Sequence, residues 1–362
     1  MRTYLRDSWS SLVRLERTRV LGYGAIWTSI VVGVGTIWSV VAGVPSLGIA
    51  FAIGAIFVGM AEAGESLRQR LFTMIIITGS LMLATFTASL ISDYRWPAII
   101  ASGLVAFASG AVGKGGPRFA MGGVLTLVTF LLFVAEPAMA NQTLESTFFM
   151  GLGGFITTLG PVITLRLRRF PELSVTSPGS PSPWHLLTQG VRDRRDPFMR
   201  HGFRLSLSIT ITVAVALLSN IPHAIWLPVT VAWVSRADTR GIVHRVEARV
   251  VGTLIGLALA GLFTLGLGFT GVEAALVAAV SAGLTVGFIW ANYPLGVAGI
   301  TMVVIVLFAI DGDNVEMDIT TRLIATLLAA AVVVGGSFIL RGQEANRALP
   351  PSEEEPIQPL QS

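Results

Sequence analysis

Long apolar runs, each closed by a short polar break, recur along the whole chain. The first six fall near residues 22–42, 46–62, 71–92, 96–112, 119–135 and 147–165. Six more fall near 203–219, 222–236, 250–268, 272–290, 294–310 and 323–340, and the second and eighth of the twelve are notably short. A helix needs about 20 apolar residues to cross the hydrocarbon core of a bilayer. The pattern predicts an all-α polytopic membrane protein with about twelve transmembrane helices.

A shift of 177 residues brings the two sets into register. It places Pro45 on Pro222, Gly64 on Gly241, Arg68 on Arg245, Gly79 on Gly256 and Phe86 on Phe263, then Gly110 on Gly287, Pro117 on Pro294 and Glu136 on Asp313. A constant offset over this distance is the mark of an internal duplication. The expected architecture is two parallel six-helix repeats, residues 22–166 and 203–341. With an even number of spans in each, both repeats share one orientation about an axis along the membrane normal.

The charges fix the expected orientation. If the first run crosses outward, every one of the 25 Lys and Arg residues lies on the inner side except Arg95 and Arg322. Basic loops are retained in the cytoplasm, so both termini are expected there, in the cell inner membrane. Outside the spans the sequence reads as an amphipathic cytoplasmic leader (1–21), a short linker (167–202) and an acidic, Pro-containing disordered tail (342–362). The linker has a flexible Pro/Ser-rich part, 171–183, followed by a basic amphipathic stretch, 184–204, suited to the inner membrane surface.

Composition excludes other classes. Apolar residues make up 53% of the chain and charged residues only 13%, which removes most soluble readings. The net charge of +4 resides in short loops between spans, so nucleic acid is not an expected partner. The absence of cysteine removes disulfides and thiolate chemistry. Gly113-Lys114-Gly115 has Ala108 where a phosphate loop needs its first glycine, and His185, His201, His223 and His244 are scattered. No catalytic group, metal or cofactor is expected, and the chain does not read as an enzyme.

The stretch from Ile221 to Phe263 carries the candidate chemistry: an apolar run, a basic turn, and a second run that opens with small residues. On a helix Arg236, Arg240 and His244 share one stripe, with Glu247 one turn beyond His244. With Arg245 and Arg249 they would raise the local concentration of anions at a cytoplasmic pore mouth. Arg68 repeats Arg245 in the first half. Trp226, Trp233, Trp290 and Tyr293 offer flat surfaces for a ring whose carboxylate an arginine takes. Asn292-Tyr293-Pro294 and the pair Pro222 and Pro228 suggest helix breaks of the kind that line cavities. Arg68, Trp226, Arg240, His244, Arg245, Arg249, Asn292 and Tyr293 are therefore the candidate substrate-binding residues. The bland readings are that the arginines only obey the positive-inside rule, the tryptophans anchor at the interface, and the prolines merely kink. Gly252, Gly256 and Gly261 form a face for close helix packing. No Asp, Glu or His falls near the middle of a predicted span; Glu62, Asp238, Glu273 and Asp311 lie at ends. Proton antiporters usually hold an ionisable group at depth, so this favours a passive or loosely coupled pathway.

The run HGFRLSLSITITVAVAL, followed by Pro222, Trp226, Arg240-Gly241, Arg245, Arg249, Gly252-Thr253 and Gly256, resembles the conserved half of the fusaric acid resistance family. The resemblance is clearest over 201–310 and fainter over 24–166. It implies a bacterial membrane protein that exports aromatic carboxylic acids, similar in fold to the plant aluminium-activated malate transporters, which are anion channels. Full-length bacterial members carry a large cytoplasmic domain where this chain has its short linker. The expected partners are a small organic anion and the lipid bilayer, with a homo-oligomer also possible. A passive anion channel and a non-transporting scaffold that acts through its basic linker remain the alternatives.

The absence of native cysteine makes topology directly testable. A cysteine introduced at Arg95 is expected to react with an impermeant maleimide added outside intact cells, and one at Arg70 only after permeabilisation. The reverse pattern would invert the orientation.

Overall fold

A computed structural model describes residues 15–62, 67–135, 142–167, 196–219, 224–235 and 242–345. The leader to residue 14, the linker from 168 to 195, the basic loop with Arg236 and Arg240, and the tail beyond 345 lie outside the described residues. After a 3-10 turn at Arg17–Arg19 the first six helices are α1 (Gly22–Ala42), α2 (Pro45–Met60), α3 (Leu67–Ile91), α4 (Arg95–Val112), α5 (Pro117–Ala135) and α6 (Thr143–Leu167). The second six are α7 (Pro197–Leu218), α8 (Trp226–Val234), α9 (Ile242–Gly261), α10 (Gly271–Phe288), α11 (Tyr293–Asp311) and α12 (Val315–Ala345). No strand occurs among the described residues. Nine of these helices are long and apolar enough to cross a bilayer, so the chain is a multi-span, all-helical membrane protein.

Two expected spans come out differently. The run at 222–236 holds a helix of only nine residues, α8, about 14 Å long at 1.5 Å per residue and less than half the hydrocarbon core. Pro228 is tolerated because it falls in the first turn, where N–H groups have no intrahelical acceptor. Ser235 is extended (φ −67°, ψ 131°) and stops the helix at the other end. The last helix starts at Val315 rather than near 323. Asn314 caps it, its Oδ1 accepting from the N–H of Met317 at 3.1 Å, and Glu316 and Asp318 sit in the first turn, where the helix dipole favours acids.

Burial sorts the helices into a centre and a rim. Every residue of α2 from Leu47 to Met60 is buried, and in α11 all from Pro294 to Phe308 except Leu295. Both sequences are apolar on every side, with no polar face to turn outward, which is the requirement for the middle of a bundle. Buried residues of α5 and α8 complete the same core. Rim helices instead expose large apolar stripes. On α1 these are Ile26, Ile30, Val34, Trp38 and Val41, and on α7 Phe203, Leu207, Ile211, Val215 and Leu218. Each residue of the second stripe lies 177 positions after its counterpart. On α4 and α10 the stripes Trp96, Ile100, Leu104 and Val272, Leu276, Val280 are related by 176. A face that spends its largest side chains outward is stable only against hydrocarbon.

The two sets of six helices interlock. α1 packs along α10 and α4 along α7, so each set lends a helix to the other. Small residues make these contacts close: a Cβ on Gly110 would stand 2.6 Å from Gly202 Cα, and one on Gly287 would stand 3.1 Å from Ala25 Cβ. The remaining contacts recur in parallel, α3 with α5 and α6 as α9 with α11 and α12, and α1 with α2 as α7 with α8.

The start of α7 is pinned by Asp196. Its carboxylate accepts from the N–H groups of Phe198 (2.8 Å) and Met199 (3.4 Å) and is ion-paired with Lys114, beyond α4. Lys114 is thus a structural cation, and the last residues of the basic stretch 184–204 form the first turns of α7 rather than a separate surface helix. Desolvation raises the Asp196 pKa, but the Lys114 and backbone hydrogen bonds outweigh it, and the pKa lies below 3.8. A depressed carboxylate pKa stabilises the fold above the unfolded value and loses that contribution as pH falls through the folded one. Asp196→Ala is therefore expected to lower stability at pH 7 by about 1–2 kcal/mol. In thermal melts against pH, the gap from wild type should close only below about pH 4.

Candidate functional site

The short helix α8 organises the site because its ends break inside the bundle. Trp226 and Trp233 are seven residues apart, about two turns, and so lie on one face of it. Both are buried, at 2% and 3% exposure. Phe308 meets the Trp226 ring edge-on at 5.8 Å, and Phe57 meets Trp233 at 6.3 Å. Each indole carries a guanidinium on its face. Arg322 of α12 has its Cζ 3.9 Å from the Trp226 centroid, and Arg249 of α9 stands 5.5 Å from that of Trp233. The arginines are 4% and 3% exposed and within electrostatic reach of each other.

Their unmet hydrogen bonds define what the site can take. Among the described residues, Arg322 Nη1, Arg249 Nε and the Trp226 indole N–H are buried donors without an acceptor. Each unsatisfied buried donor costs about 1–3 kcal/mol, and two like charges repel strongly where water is excluded. An anion supplies acceptors and negative charge together. Between α2, α5, α8, α11 and α12 lies a cavity of about 20 Å³, lined by Trp226, Trp233 and Arg322 with aliphatic residues such as Ile53, Val128 and Val303. That is room for about one water.

Arg245 and Tyr293 extend the cluster toward the basic turn. The Arg245 Cζ lies 4.2 Å from the Tyr293 centroid, its Nε donates to the Trp233 carbonyl at 3.3 Å, and Tyr293 also stands beside Arg249. Asn292 is buried, but its Oδ1 accepts from Leu295 N–H at 3.0 Å and caps α11. Its visible role is structural.

The structure thus brings together Trp226, Arg245, Arg249 and Tyr293 of the expected residues, through Trp233. Arg68 is exposed on α3 and has no place in this cluster. His244 lies on α9 without a described side chain, and Arg240 lies outside the described residues. Trp290 is an anchor between helices, its Nε1 donating to Met60 O at 3.0 Å.

Sequence reasoning missed Arg322 and Asp318. Arg322 was expected in an outer loop; it is buried because α12 begins a full two turns earlier. Asp318, one turn before it, is fully buried. The carboxylate lies outside the middle of the span drawn at 323–340, yet it is enclosed by the bundle, so the argument against a buried acid loses its premise. The available signal was the cap Asn314 with acids two and four residues on, which reads as a helix start.

Residues 210–335 match the family model described as fusaric acid resistance protein-like. This window contains every member of the cluster. Among curated relatives, the uncharacterized protein slr1298 of Synechocystis is 26% identical over 151 residues, 41% of this chain and 20% of that protein. The inner membrane protein YccS of Escherichia coli is 29% identical over 134 residues, 37% of this chain and 18% of that one. The uncharacterized protein YhfK of the same organism is 26% identical over 149 residues, 40% and 21%. The matched region spans about a fifth of the length of these relatives. No solved structure gives a significant match.

A buried cation kept for stability and one kept for binding respond differently to an apolar replacement. Well-packed apolar residues in place of buried ions are often neutral or stabilising by about 1–4 kcal/mol. Arg249→Met is accordingly expected to leave the detergent-solubilised protein as stable as wild type or more so in thermal melts. A large loss of stability would assign Arg249 to the scaffold.

Proposed function

We propose, from the premise that residues 210–335 belong to the fusaric acid resistance-like family, that this chain is an inner-membrane transporter. It exports small organic anions of the aromatic carboxylate class, and its substrate site is the Arg249–Trp233–Trp226–Arg322 cluster. One observation carries the reading: two guanidinium groups buried in a membrane bundle, each on a tryptophan face and each with an unmet donor. Even on the lenient insertion scale an arginine costs roughly 2.5–3.5 kcal/mol at a helix centre, so such groups persist where function needs them. A carboxylate takes the planar donors of arginine, while its aromatic ring stacks on indole.

The fold supports a pathway between the two sets of helices. Parallel lipid-facing stripes and recurring helix contacts favour a duplication of six helices, twelve in all, with α2 and α8 as the short central pair. Broken helices at the interface of two repeats are the usual substrate-binding elements of secondary transporters. The 20 Å³ cavity is far smaller than any aromatic acid, so binding requires α8 and α12 to separate. The extended backbone at Ser235 supplies a hinge. The basic inner face gathers the anion, with both termini cytoplasmic.

Flux from proteoliposomes tests the reading with benzoate-like and dicarboxylate anions, with and without a pH gradient or an imposed voltage. Wild type should move aromatic carboxylates, and Arg249→Met and Arg322→Met should each reduce flux at least tenfold in folded protein. Dependence on the pH gradient, lost in Asp318→Asn, would identify a coupled exporter. Flux that follows voltage alone would make the protein a channel, and no flux across the panel would overturn transport in favour of a scaffold.

A further inference from the structure

The two halves differ where their helices should match, and the difference leaves a groove. In the second half α9 lies directly on α11: a Cβ on Gly256 would stand 2.5 Å from the Ala298 carbonyl oxygen, and one on Gly252 would strike the Pro294 carbonyl and Val297. In the first half the position matching Gly252 is Ile75, and a Cβ on Gly79, matching Gly256, would meet nothing within 4 Å. Ile75 itself is turned outward and exposed, so the glycine-to-backbone contact of the second half has no counterpart in the first. Between α3, α4 and α5 lies a cavity of about 370 Å³, with Phe72, Ile76, Val105, Ala108 and Phe119 among its walls and Arg118 at its end.

We propose that this groove holds one acyl chain of an anionic phospholipid of the cytoplasmic leaflet, with Arg118 against the phosphate. The walls are mostly apolar. Three of their hydroxyls are already engaged, Ser80 with Thr126 at 2.8 Å, Thr126 with Gly122 O at 2.8 Å and Thr73 with Gln69 O at 2.9 Å. From Phe72 to Ser80 the groove runs about 12 Å along α3, close to the ~15 Å depth of one leaflet. It opens sideways to the bilayer, since Phe72 and Ile76 on its rim are 55% and 38% exposed.

Charge selects the headgroup. The groove ends where α3 and α5 begin and α4 stops, the end that the distribution of basic residues assigns to the cytoplasm. Of the neighbouring cations, Arg70 is committed to Glu62 at 3.4 Å and Lys114 to Asp196, while Arg68 is exposed and does not line the groove. Arg118 gives one bond to Gln69 Oε1 at 3.5 Å and lines the mouth, and among the described residues no carboxylate lines the groove. A guanidinium fork there favours a phosphate with net negative charge over a zwitterion.

Native mass spectrometry of the full chain, exchanged in detergent with equal phosphatidylglycerol and phosphatidylcholine, tests this without reference to transport. Wild type is expected to retain one phospholipid per chain, with about fivefold preference for phosphatidylglycerol. Ala108→Phe, which fills the groove from an exposed position, should abolish retention; should it unfold, Ile76→Trp gives the same readout. Arg118→Gln should keep the lipid and erase the preference. Retention unchanged in the filled groove, or a preference unchanged in Arg118→Gln, would overturn the proposal. So would displacement of the phospholipid by equimolar laurate, which would make the groove a site for free fatty acids.

Discussion

Two guanidinium groups held against indole faces inside an apolar bundle impose the constraint that the rest of the structure answers. A cation in hydrocarbon survives only with an aromatic face, an acceptor or a counter-charge nearby. Arg322 and Arg249 have the first on Trp226 and Trp233, and Asp318, fully buried one turn away on α12, brings a negative charge close to Arg322. What remains unmet is donor capacity, which an anion would satisfy. Keeping these groups dry takes four central helices, and α2 and α11 are buried on every side for that reason.

The interlocked rim gives that centre its rigidity. Since α1 rests on α10 and α4 on α7, neither set of six helices can shift without dragging a helix of the other. Outside these two pairs lies α8, nine residues long with non-helical backbone at its end and packed against α5, α7 and α12. The likeness between the sets also makes their differences informative: Gly252 and Gly256 let α9 lie on the backbone of α11, whereas at the matching positions of α3 Ile75 is exposed and a Cβ on Gly79 would meet nothing within 4 Å. One half seals this interface, and the other leaves a groove open to lipid.

Much of this was legible in the sequence because hydrocarbon enforces it. Apolar runs of the right length gave the helices, and the offset of 177 anticipated the matched lipid-facing stripes of α1 and α7. Arg245, Arg249, Trp226 and Tyr293 stood out as cations and aromatics in one basic stretch, and they do share a neighbourhood. Arg68 was chosen by the repeat alone and lies exposed on α3, apart from the cluster, because a matching position along a helix does not bring matching neighbours.

Hydropathy averages over a window, so it hid what one helix start decides. Asn314 begins α12 early, and that turns Arg322 and Asp318 from loop residues into buried ones. Length and polarity, which the bilayer reads one segment at a time, were settled by the sequence itself: a multi-span helical membrane protein. Which cations meet which indoles, and which helix pair stays open, were decided by tertiary structure. Those outcomes depend on distances between helices far apart in the chain, set at points of contact such as Gly252 against Pro294 and Val297.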